Sequence, residues 1–260
     1  MLLVHGQPGS GADWRNLGRL LTADHRVVAP DRPGWGRNPL PAGSLAKNAE
    51  VLAGIVTGCG LTVPVTVVGH SLGGGIALEL ALDYPDLVGA LVLVGSVGVG
   101  LALGRLDRLL AVPMVGNGIV RAGVVALRGT VAAARRFPDG SRPVSAPRRL
   151  GRMVSVVASF DASNPVGARA RASFLVEQKA LLTETPPLER RLGRLAVPVA
   201  VVHGAVDRIV PVAAGRLLAE RIPGAELVTI RHEGHSVASE RPELVAPIIA
   251  RYVRLAAGEP

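Results

Sequence analysis

Short and almost uninterrupted apolar runs alternate along this chain with longer helix-like segments. Glycine or proline follows closely after the runs, which cover residues 2–4, 26–29, 65–68, 91–94, 199–202 and 226–230. Runs without polar alternation are typical of strands that are buried on both faces of a parallel sheet. Strands that alternate with helices in this way predict an α/β fold with a doubly wound, mostly parallel sheet.

Residues 98–192 interrupt the alternation and are rich in Ala, Leu, Val and Arg. Their pattern predicts helices near 101–111, 117–136, 147–160 and 166–183, with Pro186 and Pro187 closing the last. We therefore expect a helical cap, or lid, that is inserted between two strands. Residues 1–97 and 193–260 would then form the core together.

One serine lies where a predicted strand meets a predicted helix. The sequence Gly69-His70-Ser71-Leu72-Gly73 directly follows run 65–68 and precedes a helix-like segment at 74–82. Small residues two positions away on either side allow a sharp turn that lifts a serine hydroxyl out of the sheet. The pentapeptide alone is a weak signal in a chain with 32 glycines, and a glycine turn with an incidental serine is the alternative. Its placement between strand and helix makes Ser71 a candidate nucleophile.

A serine hydroxyl attacks well only when a base removes its proton, and a third group usually orients that base. Asp207 follows run 199–202, while His232 and His235 follow run 226–230. Ligand sites in open α/β sheets form at such carboxyl ends of strands. The order serine, acid, histidine therefore indicates a catalytic triad, with His232 and His235 as the two candidates for the base.

Five motifs stand in a characteristic order: His5-Gly6-Gln7-Pro8-Gly9, Asp31-Arg32-Pro33-Gly34-Trp35-Gly36, the pentapeptide around Ser71, residues 204–207, and Gly234-His235. With them the chain resembles the α/β-hydrolase superfamily, in the branch with a helical cap. The resemblance implies that Ser71 is the nucleophile and Asp207 the acid. It favours His235 as the base, because the family places a glycine before its histidine. It also implies an oxyanion hole built from the backbone N–H groups of Gln7 and Leu72.

Other residues of these motifs are expected to have structural roles. The resemblance implies that His5 holds the oxyanion loop, and Asp31 is expected to fix the loop that it begins. We expect His70 to point away from the nucleophile and His203 to pack at a strand end. Trp35 is a candidate for the pocket wall.

The start of the chain departs from the family pattern. The resemblance implies the sheet order 1-2-4-3-5-6-7-8, and run 2–4 corresponds to the third strand, so the first two strands are expected to be missing. Run 26–29 would then lie at an edge, where unpaired apolar strands tend to associate. We expect this edge to lower stability relative to a chain extended by two strands, and to offer a surface for a homodimer.

Composition limits the partners. The net charge is +9, and the excess of basic residues lies between residues 98 and 196, where no regular pattern of aromatic residues is interleaved with them. We interpret this as solvated arginine-rich helices and expect no nucleic-acid partner.

The single cysteine, Cys59, excludes an internal disulfide. We expect no stable membrane insertion and a cytoplasmic location, because no leader pattern is visible and glycines break the apolar stretch 87–104. No metal-ligand spacing or phosphate-binding loop indicates a cofactor.

The nucleophile type and the cap composition limit the reaction. A serine nucleophile argues against the dehalogenases and epoxide hydrolases of similar architecture, and residues 98–192 contain no tyrosine or tryptophan. We expect a small-molecule substrate, a carboxylic ester or lactone with an apolar acyl or alkyl group, cleaved through an acyl-enzyme. Three alternatives remain: a hydrolase of C–C bonds in vinylogous diketones, a cofactor-free perhydrolase or haloperoxidase-like enzyme, and a non-catalytic ligand-binding homologue.

Overall fold

A five-stranded parallel sheet forms the centre of the molecule in a computed structural model, which describes residues 1–135, 160 and 163–259. The strands lie in the order β1-β2-β3-β4-β5. Their bounds are β1 Leu2–Val4, β2 Val65–His70, β3 Val88–Val94, β4 Val199–Gly204 and β5 Glu226–Ile230. Every neighbouring pair is parallel, so the carboxyl ends of all five strands meet at one edge of the sheet.

Helices follow the strands and cover both faces of the sheet. The described helices are α1 Arg15–Leu21, α2 Leu45–Gly58, α3 Leu72–Asp83, α4 Arg105–Leu110, α5 Pro113–Arg135, α6 Pro165–Arg191, α7 Val212–Arg221, α8 Val237–Glu240 and α9 Pro242–Ala256. Short 3-10 helices lie at Gly11–Trp14, Pro85–Leu87, Gly100–Ala102 and Leu192–Arg194.

The alternation of side chains along β1 explains why its run is apolar at every position. Leu2 and Val4 belong to the core on one face of the sheet, with residues of α2, α3 and α7. Leu3 points to the other face, where α1 and α9 pack. All three side chains are fully buried, as expected for a strand with helices on both sides. The predicted α/β fold with a doubly wound parallel sheet is therefore confirmed.

The predicted strand at 26–29 is reduced to one β-bridge. Val28 pairs in parallel with Leu2, so this segment lies beside β1 as the family order implies. The Val28 N–H donates to Met1 C=O at 3.0 Å, and the Leu3 N–H donates to Val28 C=O at 2.8 Å. The next bond of a parallel ladder would need an N–H at position 30, which is a proline. Pro30 therefore ends the pairing after a single bridge.

The segment between β3 and β4 is helical where it is described. Helices α4, α5 and α6 correspond to the predictions at 101–111, 117–136 and 166–183, while the helix predicted at 147–160 lies almost entirely outside the described residues. The predicted helix end at Pro186 and Pro187 is wrong, because α6 continues to Arg191. Each proline removes one backbone donor, but Leu188 lies fully buried in the core beyond them. Burial of the last turn outweighs the lost hydrogen bonds.

Among the described residues, no helix combines the length and the apolar character that crossing a membrane would require. The apolar stretch at 87–104 instead contains β3 and the loop that follows it. Most of β3 is fully buried, which explains the absence of charged side chains there.

Candidate active site

Ser71 occupies a strained turn between β2 and α3. Its backbone has φ 54° and ψ −121°, a region that side-chain-bearing residues seldom adopt. Such a conformation costs about 1–3 kcal/mol and persists only when its surroundings enforce it. Two glycines make the turn sterically feasible. A Cβ atom at Gly69 would lie 2.5 Å from Gly73 O, and one at Gly73 would lie 2.2 Å from Val4 O.

Hydrogen bonds to the neighbouring strand end hold the turn. The Ser71 N–H donates to Val94 C=O at 3.0 Å, and the Val97 N–H donates to Ser71 C=O at 3.2 Å. Ser71 remains 8% exposed, whereas most residues of α3 behind it are fully buried. The serine is thus fixed at the carboxyl edge of the sheet, with a small solvent-accessible surface.

Asp207 and His235 come together at the same edge, from the loops after β4 and β5. His235 Nδ1 lies 2.8 Å from Asp207 Oδ2. The other carboxylate oxygen, Oδ1, accepts the N–H groups of Ile209 at 2.8 Å and Val210 at 3.0 Å. These two bonds fix the plane of the carboxylate, so Oδ2 is aimed at the imidazole ring.

The electrostatic surroundings of Asp207 favour the carboxylate. Burial alone raises the pKa of Asp207, but hydrogen bonds from His203 and His235 and from the Ile209 backbone outweigh it and lower the pKa below its ordinary value. A carboxylate has no hydrogen to donate, so His235 Nδ1 is the donor in their hydrogen bond. In the neutral imidazole the other nitrogen, Nε2, is then unprotonated and free to accept a proton.

Contacts with three neighbouring residues hold the loop that carries His235 in position. His70 Nε2 donates to the His235 carbonyl at 2.9 Å, and the two rings lie 4.8 Å apart between centroids. Gly95 leaves room for the pair, because a Cβ atom there would lie 3.2 Å from His235 Nδ1. Gly204 lets β4 pass close to the loop, since its Cβ would lie 2.4 Å from Glu233 O. His70 therefore supports the backbone of the candidate base, a contact that the sequence did not predict.

Of the two histidines proposed for the base, His235 is the one that contacts Asp207. His232 is exposed and adopts a left-handed backbone conformation with φ 62° in the turn after β5. His203 is fully buried, as expected of a packed residue. Its Nε2 donates to Val210 C=O at 2.9 Å and also lies 3.5 Å from Asp207 Oδ2.

The loop after β1 passes directly beside the serine. A Cβ atom at Gly6 would lie 3.0 Å from Ser71 Cβ, so this close approach favours glycine. Within the described part of the chain, neither the Gln7 N–H nor the Leu72 N–H has a hydrogen-bond acceptor. Leu72 is the first residue of α3, where N–H groups lack helical partners and the helix dipole favours negative charge.

His5 holds this loop in a neutral form. The Arg32 backbone N–H donates to His5 Nε2 at 3.0 Å, so Nδ1 carries the proton and donates to Gly6 C=O at 2.8 Å. Burial and the charge of Arg32 hold the pKa of His5 well below its usual range. Asp31 fixes the adjacent loop, because its carboxylate accepts the N–H groups of Gly11 and Arg37, each at 2.8 Å.

Trp35 is buried in a small apolar cluster with residues of the inserted segment. The cluster includes Val124 of α5 and Phe160, and Phe174 of α6 packs against it. The cluster links the loop that begins at Asp31 to the inserted helices. No group of three or more His, Cys, Asp or Glu side chains within the described residues is arranged to hold a metal ion.

Sequence reasoning missed the buried residues around Arg32. Arg32 belongs to the loop motif at residues 31–36, but nothing in the local sequence indicates that its side chain is 0% exposed. Its carboxylate partner, Glu177, lies 145 residues along the chain. The only available signal was the position of an arginine three residues after a predicted apolar strand.

Known proteins share this architecture. A family model for the alpha/beta hydrolase fold matches residues 1–242. A 2-hydroxymuconate semialdehyde hydrolase from Pseudomonas putida is 30% identical over 271 residues, which cover 97% of this chain and 86% of the relative.

Two solved structures are similar in fold. A thermophilic esterase from Thermogutta terrifontis has a TM-score of 0.72 at 24% identity and covers 98% of this chain and 89% of its own. Est816, described as an N-acyl homoserine lactone degrading enzyme, has a TM-score of 0.74 at 24% identity, over 97% of this chain and 92% of its own. These two structures agree with the strand order in fold, and the family model together with the Pseudomonas putida relative shows that the chain belongs to the alpha/beta hydrolase fold family.

Proposed function

We propose that the protein is a serine hydrolase in which Ser71 is the nucleophile, His235 the general base and Asp207 the acid that orients it. The proposal depends mainly on the 2.8 Å hydrogen bond between His235 Nδ1 and Asp207 Oδ2. This bond leaves Nε2 unprotonated at the sheet edge where the strained Ser71 turn also lies. Acyl transfer requires a serine hydroxyl at a strand-to-helix turn and a basic nitrogen that can take its proton.

The reaction follows from these positions. His235 Nε2 takes the Ser71 proton while Oγ bonds to the substrate carbonyl carbon, and the carbonyl oxygen becomes negatively charged. The N–H groups of Gln7 and Leu72 stabilise that oxygen. The tetrahedral intermediate expels the alkoxide, which receives the proton from His235, and an acyl-enzyme remains. Water then attacks the acyl-enzyme with His235 again as base, which releases the acid and restores Ser71.

We propose that residues 98–192 form a lid over Ser71, on the core made by residues 1–97 and 193–260. Contacts from α6 to the core loops support this arrangement. Ser173 Oγ donates to Gly34 C=O at 2.8 Å, and Glu184 Oε2 accepts the Leu45 N–H at 2.8 Å. Trp35 packs under the same helices. A lid in this position excludes water and supplies the pocket wall.

A carboxylic ester or lactone with an apolar acyl or alkyl group is the proposed substrate. The cluster around Trp35 consists of aromatic and aliphatic side chains, which suit an apolar group better than a charged one. The likeness to an esterase and to a lactone-degrading enzyme is consistent with this class.

Hydrolysis of a C–C bond is the second candidate. The relative from Pseudomonas putida is named as a 2-hydroxymuconate semialdehyde hydrolase, and its 30% identity extends over 97% of this chain. The same serine, histidine and aspartate would serve that reaction, so the triad does not separate the two. A comparison of substrates is needed to distinguish the two reactions.

A panel of p-nitrophenyl esters of increasing chain length, several lactones and a ring-cleavage dienone tests the substrate class. Rapid turnover of the esters or lactones supports the first candidate, and preferential turnover of the dienone supports the second. Ser71→Ala should abolish activity on every substrate, because a lost triad member removes several orders of magnitude in rate. Ser44→Ala is the matched control. It removes only the side-chain cap of α2, which accepts the Lys47 N–H at 3.0 Å.

A fluorophosphonate probe tests the nucleophile without a known substrate. Ser71 Oγ should displace fluoride and gain the phosphonyl mass on the tryptic peptide that contains it. Labelling of another residue, or equal labelling of Ser71→Ala, would refute the assignment.

The homodimer through the edge at 26–29 and the cytoplasmic location stay predictions. Light scattering coupled to size-exclusion chromatography tests the homodimer.

A further inference from the structure

Every guanidinium N–H of the buried Arg32 faces an acceptor. Nε donates to His5 C=O and Nη2 to Gly6 C=O, each at 2.9 Å. Nη1 donates to Asn48 Oδ1 at 3.3 Å. The remaining N–H groups donate to the two carboxylate oxygens of Glu177, with Nη2 and Oε2 3.4 Å apart. A planar group with five donors in use is held in one orientation.

Glu177 belongs to α6, in the inserted helical segment, and its side chain is 1% exposed. Arg32 lies in the core loop after Val28, at 0% exposure. An ion pair at this depth is costly to desolvate, and removing either partner leaves an uncompensated buried charge. The inserted segment therefore supplies the carboxylate that keeps the guanidinium on the loop after β1.

The position of that guanidinium controls a peptide bond in the proposed oxyanion hole. The Gly6 carbonyl accepts hydrogen bonds from Arg32 Nη2 at 2.9 Å and from His5 Nδ1 at 2.8 Å. The Gln7 N–H belongs to the same trans peptide unit, so it points in the opposite direction to the carbonyl. Fixing the carbonyl therefore fixes the direction of the N–H. A cation on the carbonyl oxygen also polarises the peptide and strengthens its N–H as a donor.

We infer that the Glu177–Arg32 ion pair sets the orientation of the Gly6–Gln7 peptide, which makes Glu177 of the cap a positioning residue for oxyanion stabilisation. The inference rests on the proposed function, since an oriented Gln7 N–H matters for catalysis only if Ser71 attacks a carbonyl. It adds a second role to the cap, which then acts on the rate of the reaction as well as on the shape of the pocket.

Glu177→Gln tests the inference, with Glu184→Gln as its matched control. Gln keeps the shape of Glu177 but removes the charge that holds Arg32. Glu184 also lies on α6 and also binds the core, but it caps α2 through the Leu45 N–H and makes no contact with Arg32. We expect Glu177→Gln to lower kcat about ten-fold or more, since loss of a whole oxyanion donor costs roughly 10²–10³-fold. KM should change less than about two-fold, and Glu184→Gln should retain both constants.

A folded Glu177→Gln protein with wild-type kcat, or with its whole loss in KM, would overturn the inference. If Glu177→Gln does not fold because Arg32 is left as a buried lone cation, the double variant Arg32→Gln/Glu177→Gln replaces it. This variant buries no net charge and should show the same loss of kcat. Wild-type kcat in the double variant would equally overturn the inference.

The carbon-13 resonance of the Gly6 carbonyl separates this inference from the proposed reaction. Loosening of the Arg32 hydrogen bond to this carbonyl should shift the resonance in Glu177→Gln relative to wild type, while Glu184→Gln should leave it unchanged. If the wild type hydrolyses none of the substrates while this difference is seen, the proposed reaction fails and the clamp stands. The same Gly6 resonance in all three proteins overturns the clamp whatever the turnover.

Discussion

Asp207→Asn should impair turnover by reversing the tautomer of His235. In the wild type Oδ1 accepts two backbone N–H groups, from Ile209 and Val210. An asparagine at this position keeps those bonds only if its amide oxygen replaces Oδ1. Its NH₂ group then occupies the position of Oδ2, 2.8 Å from His235 Nδ1. An amide N–H in that place donates to Nδ1, so the ring proton moves to Nε2 and the base can no longer accept the Ser71 proton.

The expected loss in kcat/KM is roughly 10⁴-fold, the magnitude of the same substitution in a serine protease triad. At about 1.4 kcal/mol for each factor of ten, this loss corresponds to about 5–6 kcal/mol of transition-state stabilisation. Turnover of the best p-nitrophenyl ester and the unfolding midpoint are measured on the same preparation. Asp107→Asn is the control, because Asp107 also accepts a backbone N–H, from Gly104 at 2.8 Å, but the described structure shows no histidine bound to it. A folded Asp207→Asn protein that keeps more than about a tenth of the activity would refute the tautomer argument.

Three further predictions test the packing and charge of the site. Gly73→Ala should lower the unfolding midpoint in calorimetry by several degrees, because the added Cβ atom would lie 2.2 Å from Val4 O. Gly54→Ala is the control: its Cβ atom would have no neighbour within 4 Å, so the midpoint should stay unchanged or rise. Because the pKa of Asp207 is lowered in the folded protein, its ionisation stabilises the fold above about pH 4, and this stabilisation is lost as the pH falls further. In urea unfolding, the free energy of unfolding should therefore fall less in acid for Asp207→Asn than for wild type. His203→Phe removes a neighbour that lowers the pKa of Asp207 and leaves burial, which raises it, so the loss of stability in acid should be smaller than in wild type. An acid-dependent loss equal to that of wild type and of the His25→Phe control would contradict this.

The order of elements could be read from the sequence because each strand carries its own local signal. Runs 65–68 and 91–94 lie inside β2 and β3, and run 226–230 coincides with β5. Continuous apolar character identifies a strand with both faces covered, and this property needs no knowledge of partners. The edge segment at 26–29 was over-predicted because its composition is strand-like, while the missing N–H of Pro30 limits the pairing to one bridge.

The residues of the candidate triad could also be predicted, because each follows a strand and lies in a short motif. The long-range contacts of the site could not be predicted in this way. The contact of His70 with the His235 carbonyl spans 165 positions, and the Arg32–Glu177 pair spans 145. A single arginine or glutamate in sequence is most often a solvated side chain. Its burial depends on the packing of segments that a local pattern does not bring together.

The two charged groups of the site are stabilised in different ways, and this difference limits how the cap can be exchanged. Asp207 is held by two backbone N–H groups from the loop after β4 and by His235 from the loop after β5, so its surroundings belong to the core. Arg32 is held by core carbonyls and by Glu177 of the inserted segment. Replacement of the cap by another helical segment should therefore leave the contact between Asp207 and His235 intact. It should preserve the loop after β1 only if the new segment places a carboxylate where Glu177 lies, because a buried guanidinium without a counter-charge destabilises the fold around it.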